Sequence, residues 1–136
     1  MAAKLKPYVA GHVLEVGAGT GETTQYLLNE KVTHWTYLEP DEKLFGQLQK
    51  RMDSQKIAIP SEAMWGNLSK LPKSSLFDTI LYIDVLEHIE GDKAELSHSL
   101  CYLKKNGHLI VLSPAQQMLY SPFDEAIGHY RRYSKH

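Results

Sequence analysis

An α/β fold with a doubly wound, mostly parallel sheet is predicted by three features of this 136-residue chain. An apolar strand, Val13-Leu14-Glu15-Val16, runs directly into a glycine-rich turn, Gly17-Ala18-Gly19-Thr20-Gly21. Strand-like and helix-like segments then alternate, which implies right-handed crossovers and parallel strands. The residues suited to ligand chemistry fall where strands end, at the carboxyl edge where such sheets bind ligands.

Each element has a local reason. Glycines at positions 17, 19 and 21 permit a sharp turn and close ligand approach. The spacing predicts a helix from Glu22 to about Lys31, with Thr24, Leu27 and Leu28 on one face and its amino terminus aimed at the ligand. Thr33 to Glu39 reads as a second strand. Leu44, Leu48 and Met52 then repeat every four residues, the stripe of a helix lying on a sheet. Residues 57–65 hold a third strand interrupted by Pro60, with its core at Ala63 to Trp65. Leu96, Leu100 and Leu103 mark another helix, Asn106-Gly107 a turn, and a strand begins at His108.

Three ligand classes use such a glycine turn. A dinucleotide fingerprint needs glycine at the sixth position to seat a pyrophosphate, and Glu22 stands there, where its charge would repel one. A phosphate-binding loop needs lysine, and Gly21-Glu22-Thr23 has none. S-adenosylmethionine carries no phosphate and has a cationic sulfonium, so acidic residues such as Glu15 beside the turn suit it.

The pattern Glu15-x-Gly17-x-Gly19-x-Gly21 resembles motif I of the class I S-adenosylmethionine-dependent methyltransferases, and the likeness covers most of the chain. It implies that Glu15, Gly17, Ala18, Gly19, Thr20 and Gly21 bind this cofactor. Glu39, followed by Pro40, matches the acidic residue that holds both ribose hydroxyls, and a carboxylate can accept two hydrogen bonds from a diol. Leu76 to Ile89 resembles the fourth strand and its loop, with Ile83, Asp84, Val85 and His88 as further cofactor residues. The phrase Asp84-Val85-Leu86-Glu87-His88 is common among small-molecule members. Leu103 to Leu112 resembles the turn and fifth strand. Many relatives place an acid after the third strand to read the adenine amino group; here Asn67, followed by Leu68, stands there and offers its side-chain oxygen instead.

The resemblance also implies seven strands, whereas Ser113 to His136 has room for a loop and one short helix. The expectation is therefore a single cofactor-binding domain over residues 1–136, truncated at its carboxyl end and lacking the last two strands. The edge strand Leu109 to Leu112 would then be bare, and a homodimer could cover it. The segment Ser121 to Ser134 resembles one that lies over the active site in methyltransferases of small molecules, including sugar- or lipid-related acceptors. In it, Tyr130, Arg131, Arg132 and Tyr133 are candidates to grip an anionic or hydroxylated acceptor. His129 is the candidate general base. The same cluster also reads as a solvated chain end.

Composition narrows the partners. With 43% hydrophobic residues the chain can bury a core, and a formal charge of −1 argues against a surface devoted to nucleic acid. No stretch is apolar for long enough to span a membrane and no secretory segment is visible, so cytoplasm is the default. Cys101 is the single cysteine, and it, His98 and His108 show no metal-ligand spacing. Trp35 and Trp65 read as core or pocket-wall aromatics, and His88 as a pocket-shaping residue rather than a base. Two other functions stay open: a fragment that binds S-adenosylmethionine without chemistry, and an NAD-dependent oxidoreductase, disfavoured by Glu22 and by the lack of a tyrosine-lysine pair.

Overall fold

The computed structural model describes residues 2–112 and 117–120. Among these, one sheet contains β1 (Gly11–Val16), β2 (Val32–Glu39), β3 (Ser61–Trp65), β4 (Phe77–Ile83), β5 (Leu103–Leu112) and β6 (Gln117–Tyr120), in the order β3-β2-β1-β4-β5-β6. The first five strands run parallel to their neighbours and β6 runs antiparallel to β5. Helices α1 (Ala2–Leu5), α2 (Thr24–Leu27), α3 (Glu42–Ser54) and α4 (Asp92–Ser99) pack on the sheet. Chain order moves outward in one direction from β1 and in the other from β4. The loops after these two strands therefore part and leave a crevice between them.

Alternation along the strands divides the core between the two sheet faces. Leu14, Val16, Ile80, Tyr82, Leu109 and Val111 face α4 and its Leu96. Val13, Trp35, Tyr37, Leu81 and Ile110 face Leu27 of α2 and Leu48 of α3. In the expected α3 stripe Leu48 is fully buried, while Leu44 lies at the crevice. Asp41 caps this helix, its side chain accepting a hydrogen bond from the Lys43 N–H at 3.3 Å.

Three expectations need correction. Instead of running from Glu22 to about Lys31, α2 is one turn, Thr24–Leu27. Leu28 is already extended, and the Asn29 side chain donates to the carbonyls of Val9 at 2.9 Å and Leu27 at 3.1 Å, competing with helical bonding. So short a helix has little dipole to aim at a ligand. Next, Asn106-Gly107 does not precede the fifth strand but lies inside it. Leu103 pairs with Phe77 and His108 with Thr79, and the extra residues bulge out around Asn106 at φ 69°. Finally, the region after β5 is not confined to the loop and helix that its sequence suggests. It contributes β6, which pairs with Leu109 to Leu112 and occupies the edge expected to be bare. That pairing removes the argument for a second copy covering this edge.

No helix among the described residues is long and apolar enough to cross a membrane. No group of three or more potential metal ligands occurs among them either.

Candidate functional site

A cleft of about 800 Å³ opens at the carboxyl ends of β1, β2 and β4. The turn after β1 forms its floor. Its three glycines have φ of +71° (Gly17), +61° (Gly19) and +86° (Gly21), the left-handed region that side chains disfavour. Their surroundings differ. A β-carbon on Gly17 would sit 2.7 Å from a Val85 methyl, so this glycine lets the turn after β1 touch the loop after β4. One on Gly21 would sit 2.7 Å from Leu48, so this glycine packs against α3. Around Gly19 nothing lies within 4 Å, and the backbone there is open to the cleft.

The turn is tied to β2 from two sides. The N–H groups of Gly17 and Ala18 donate to the Leu38 carbonyl at 2.8 and 2.9 Å. The Gly19 N–H donates to Glu39 Oε1 at 2.7 Å, and the Asp41 N–H to Glu39 Oε2 at 2.8 Å. Glu39 is 4% exposed. Each of its oxygens keeps a second lone pair for a ligand donor. Beside it the Pro40 carbonyl accepts from the half-exposed Trp65 indole at 3.0 Å, whereas Trp35 is wholly in the core.

Glu15 lies deeper, 1% exposed, with the Trp35 indole N–H 3.3 Å from Oε1. Burial pushes its carboxyl up to about 7; hydrogen bonds from Trp35 and Thr23 oppose the rise, and the charge of Glu39 adds to it. On the far side Asp84 has φ 57°, and its N–H donates to the Leu112 carbonyl at 2.7 Å, fastening the ends of β4 and β5 together. His88 closes the short helical turn Leu86–His88 at the cleft wall.

Of the residues expected at a cofactor, Glu15, Gly17, Ala18, Gly19, Thr20, Glu39, Pro40, Asn67, Ile83, Asp84, Val85 and His88 line this cleft. Gly21 and Leu68 do not: Gly21 lines a separate depression beside α3, and Leu68 is 1% exposed in the core. The side-chain oxygen of Asn67, an exposed residue of the cleft wall, accepts from the Ser69 N–H at 3.1 Å and the Ser69 hydroxyl at 2.6 Å, so it also caps a helical turn. His129, Tyr130, Arg131, Arg132 and Tyr133 lie outside the described residues.

Val16, Glu22, Thr23, Leu44, Ile89 and Glu95 also line the cleft, although none of them is among the residues expected to bind the cofactor. Glu95 is held there by the buried Tyr82 hydroxyl, which donates to Oε2 at 2.7 Å. Burial and this carboxylate raise the Tyr82 phenol well above its ordinary value. A tyrosine in the buried run Ile80-Leu81-Tyr82 needs such a partner, which was the available signal. Five carboxylates thus face the cleft, Glu15, Glu22, Glu39, Asp84 and Glu95, and among the described lining residues there is no lysine or arginine.

Comparison with known proteins agrees with this architecture. Residues 14–109 match the model of a family described as methyltransferase domain. A search of curated proteins finds no match. Among solved structures, the chain is similar to the cyclopropane synthase MmaA2 from Mycobacterium tuberculosis, at 18% identity and TM-score 0.67, over 81% of this chain and 39% of that one. An S-adenosylmethionine-dependent methyltransferase from Clostridium acetobutylicum aligns at 20% identity and TM-score 0.62, over 80% and 46%. A putative one from Methanococcus maripaludis aligns at 13% and 0.69, over 81% and 52%. The chain therefore spans about half the length of these structures or less. Such identities establish the fold, and the family match spans more than half of the sequence. On that footing, the chain belongs to the methyltransferase-domain family.

Proposed function

We propose that the cleft binds S-adenosylmethionine and that the chain transfers its methyl group to a small-molecule acceptor. The observation carrying this reading is the lining: five carboxylates and no described lysine or arginine. Such a field attracts a cation and repels a diphosphate, which supports the sulfonium cofactor over a dinucleotide. The opening above Gly19 and the spare lone pairs of Glu39 fit a ribose lying across the turn. Similar structures include a plantazolicin methyltransferase solved with S-adenosylhomocysteine.

When bound, the cofactor supplies a methyl group already activated by positive sulfur. What remains for the protein is placement, which can account for much of the rate. In this reading Glu39 and the Gly17–Thr20 backbone fix the ribose, and Leu44, Val85 and Ile89 exclude water from the base. Asp84 adds negative potential near the cationic end, while Glu15, its carboxyl pushed up to about 7 by burial, offers that end a hydrogen-bonding group. His129 takes the proton of a hydroxyl acceptor, and Tyr130, Arg131, Arg132 and Tyr133 hold that acceptor. No covalent enzyme intermediate is invoked.

Calorimetry tests the reading directly. S-adenosylmethionine is expected to bind and NAD not to; tighter binding of NAD would overturn it. Radiolabelled methyl transfer to a panel of small hydroxylated, sugar and lipid-related acceptors then tests the chemistry. Binding with uniformly silent acceptors would favour a cofactor-binding module without activity.

A further inference from the structure

A second pocket of about 370 Å³ adjoins the cleft, and Glu22, Thr23 and Ile83 line both. Its other walls are Leu5 of α1, Leu27 of α2, and Leu112 at the end of β5, with Tyr26 at its rim. Ile83 and Leu112 are register partners on adjacent parallel strands. The Asp84 N–H to Leu112 carbonyl bond holds those strand ends side by side, so the two aliphatic side chains form one wall. Leu5 and Leu27 are buried, at 7% and 2%, whereas Tyr26 is 60% exposed. The result is an apolar recess whose polar groups lie at its junction with the acidic cleft. There the Glu22 carboxylate, 68% exposed, stands 3.5 Å from Arg51.

The geometry points to this recess as the acceptor pocket, shaped for a small molecule with an apolar body and an amine or hydroxyl head at the Glu22–Thr23 junction, and unsuited to a carboxylic acid. This inference rests on the cleft being the methyl-donor site. Three observations choose the occupant. The recess shares its mouth with the cleft, so a head group at the junction stands next to whatever fills the cleft. Apart from Glu22 and Thr23 its lining is aliphatic or aromatic, and the volume is that of a small-ligand site. At the mouth the Glu22 carboxylate accepts hydrogen bonds from an ammonium or hydroxyl, and although Arg51 offsets part of its charge, the acidic side chains of the adjoining cleft disfavour an acid.

The test uses the full chain with isoleucine and leucine methyl groups labelled for NMR, titrated with n-butylamine, n-hexylamine, 1-hexanol and hexanoate. Binding of S-adenosylhomocysteine is measured separately by calorimetry. Saturable shifts are expected at Leu5, Leu27, Ile83 and Leu112, and affinity should rise about fourfold for each added methylene. Hexanoate should bind several-fold more weakly than hexylamine. Tyr26→Ala should weaken hexylamine several-fold with an unchanged thermal melt, since this side chain is largely exposed. No shift at these methyls, no dependence on chain length, or hexanoate binding as tightly as hexylamine would each overturn the inference. If S-adenosylhomocysteine binds while the amines do not, the acceptor pocket fails and the donor site stands. If the amines bind while S-adenosylhomocysteine does not, the donor-site reading fails and the acceptor role goes with it.

Discussion

The crevice has two halves of opposite character. At the ends of β1 and β2 it is made of glycine backbone and buried carboxylates, Glu15 and Glu39. At the ends of β4 and β5 it passes, beyond Asp84, into the aliphatic wall of Ile83 and Leu112. Both halves are built from parallel strands in the same sheet, so the difference comes from side chains and not from topology. The switch point fixes where a ligand goes, and the residues at each strand end decide what kind of ligand it is.

The sharpest way to break the polar half is Glu39→Ala. It removes the proposed ribose acceptor and strands the N–H groups of Gly19 and Asp41, both now bonded to this carboxylate. Calorimetry should register a loss of S-adenosylmethionine affinity of more than about a hundredfold, roughly 3 kcal/mol. Unchanged affinity would refute the ribose assignment.

Glu15 gives a pH-dependent contrast. Its folded value of about 7 lies above the ordinary 4.5, so between these values the folded state binds more protons than the unfolded one. The contribution of Glu15 to stability should accordingly be greatest below 4.5 and be lost as pH rises through about 7, by roughly 3 kcal/mol in all. Glu15→Gln removes this titration. Urea unfolding at pH 5 and pH 8 should show the wild type losing that much more stability than the variant. Parallel profiles would count against a neutral buried carboxyl.

A smaller comparison lies within the turn itself. Gly17→Ala meets both an unfavourable φ and the Val85 methyl at 2.7 Å, whereas Gly19→Ala meets only the φ. The first should cost about 2 kcal/mol more stability than the second in chemical denaturation. The second should instead weaken the cofactor, because its methyl group points into open cleft. Equal stabilities would mean that Val85 yields freely.

Much of this was legible in the sequence. The glycine turn needs positive φ, and Glu39 ends a recognisable strand, so the floor of the cleft followed from local rules. Other features depend on contacts between distant segments. Asn29 ends α2 by reaching back to Val9, twenty residues earlier. Gly21 and Leu68 turn away from the cleft because their backbone direction, not their neighbours in sequence, decides what they face. Glu95 arrives through Tyr82, thirteen residues away. The pairing of Ile83 with Leu112 depends on a register set past the Asn106 bulge, and β6 lay in a segment whose pattern suggested no strand.

Glu39 has a further consequence for kinetics and affinity. By grasping the amides of Gly19 and Asp41 it anchors the loops after both β1 and β2 without any ligand. The loss of chain freedom there is thus incurred during folding, leaving little to be frozen when a nucleoside arrives. A preorganised cradle of this kind admits its guest with small backbone displacement, and its encounter rate is then governed by access and charge rather than by rearrangement.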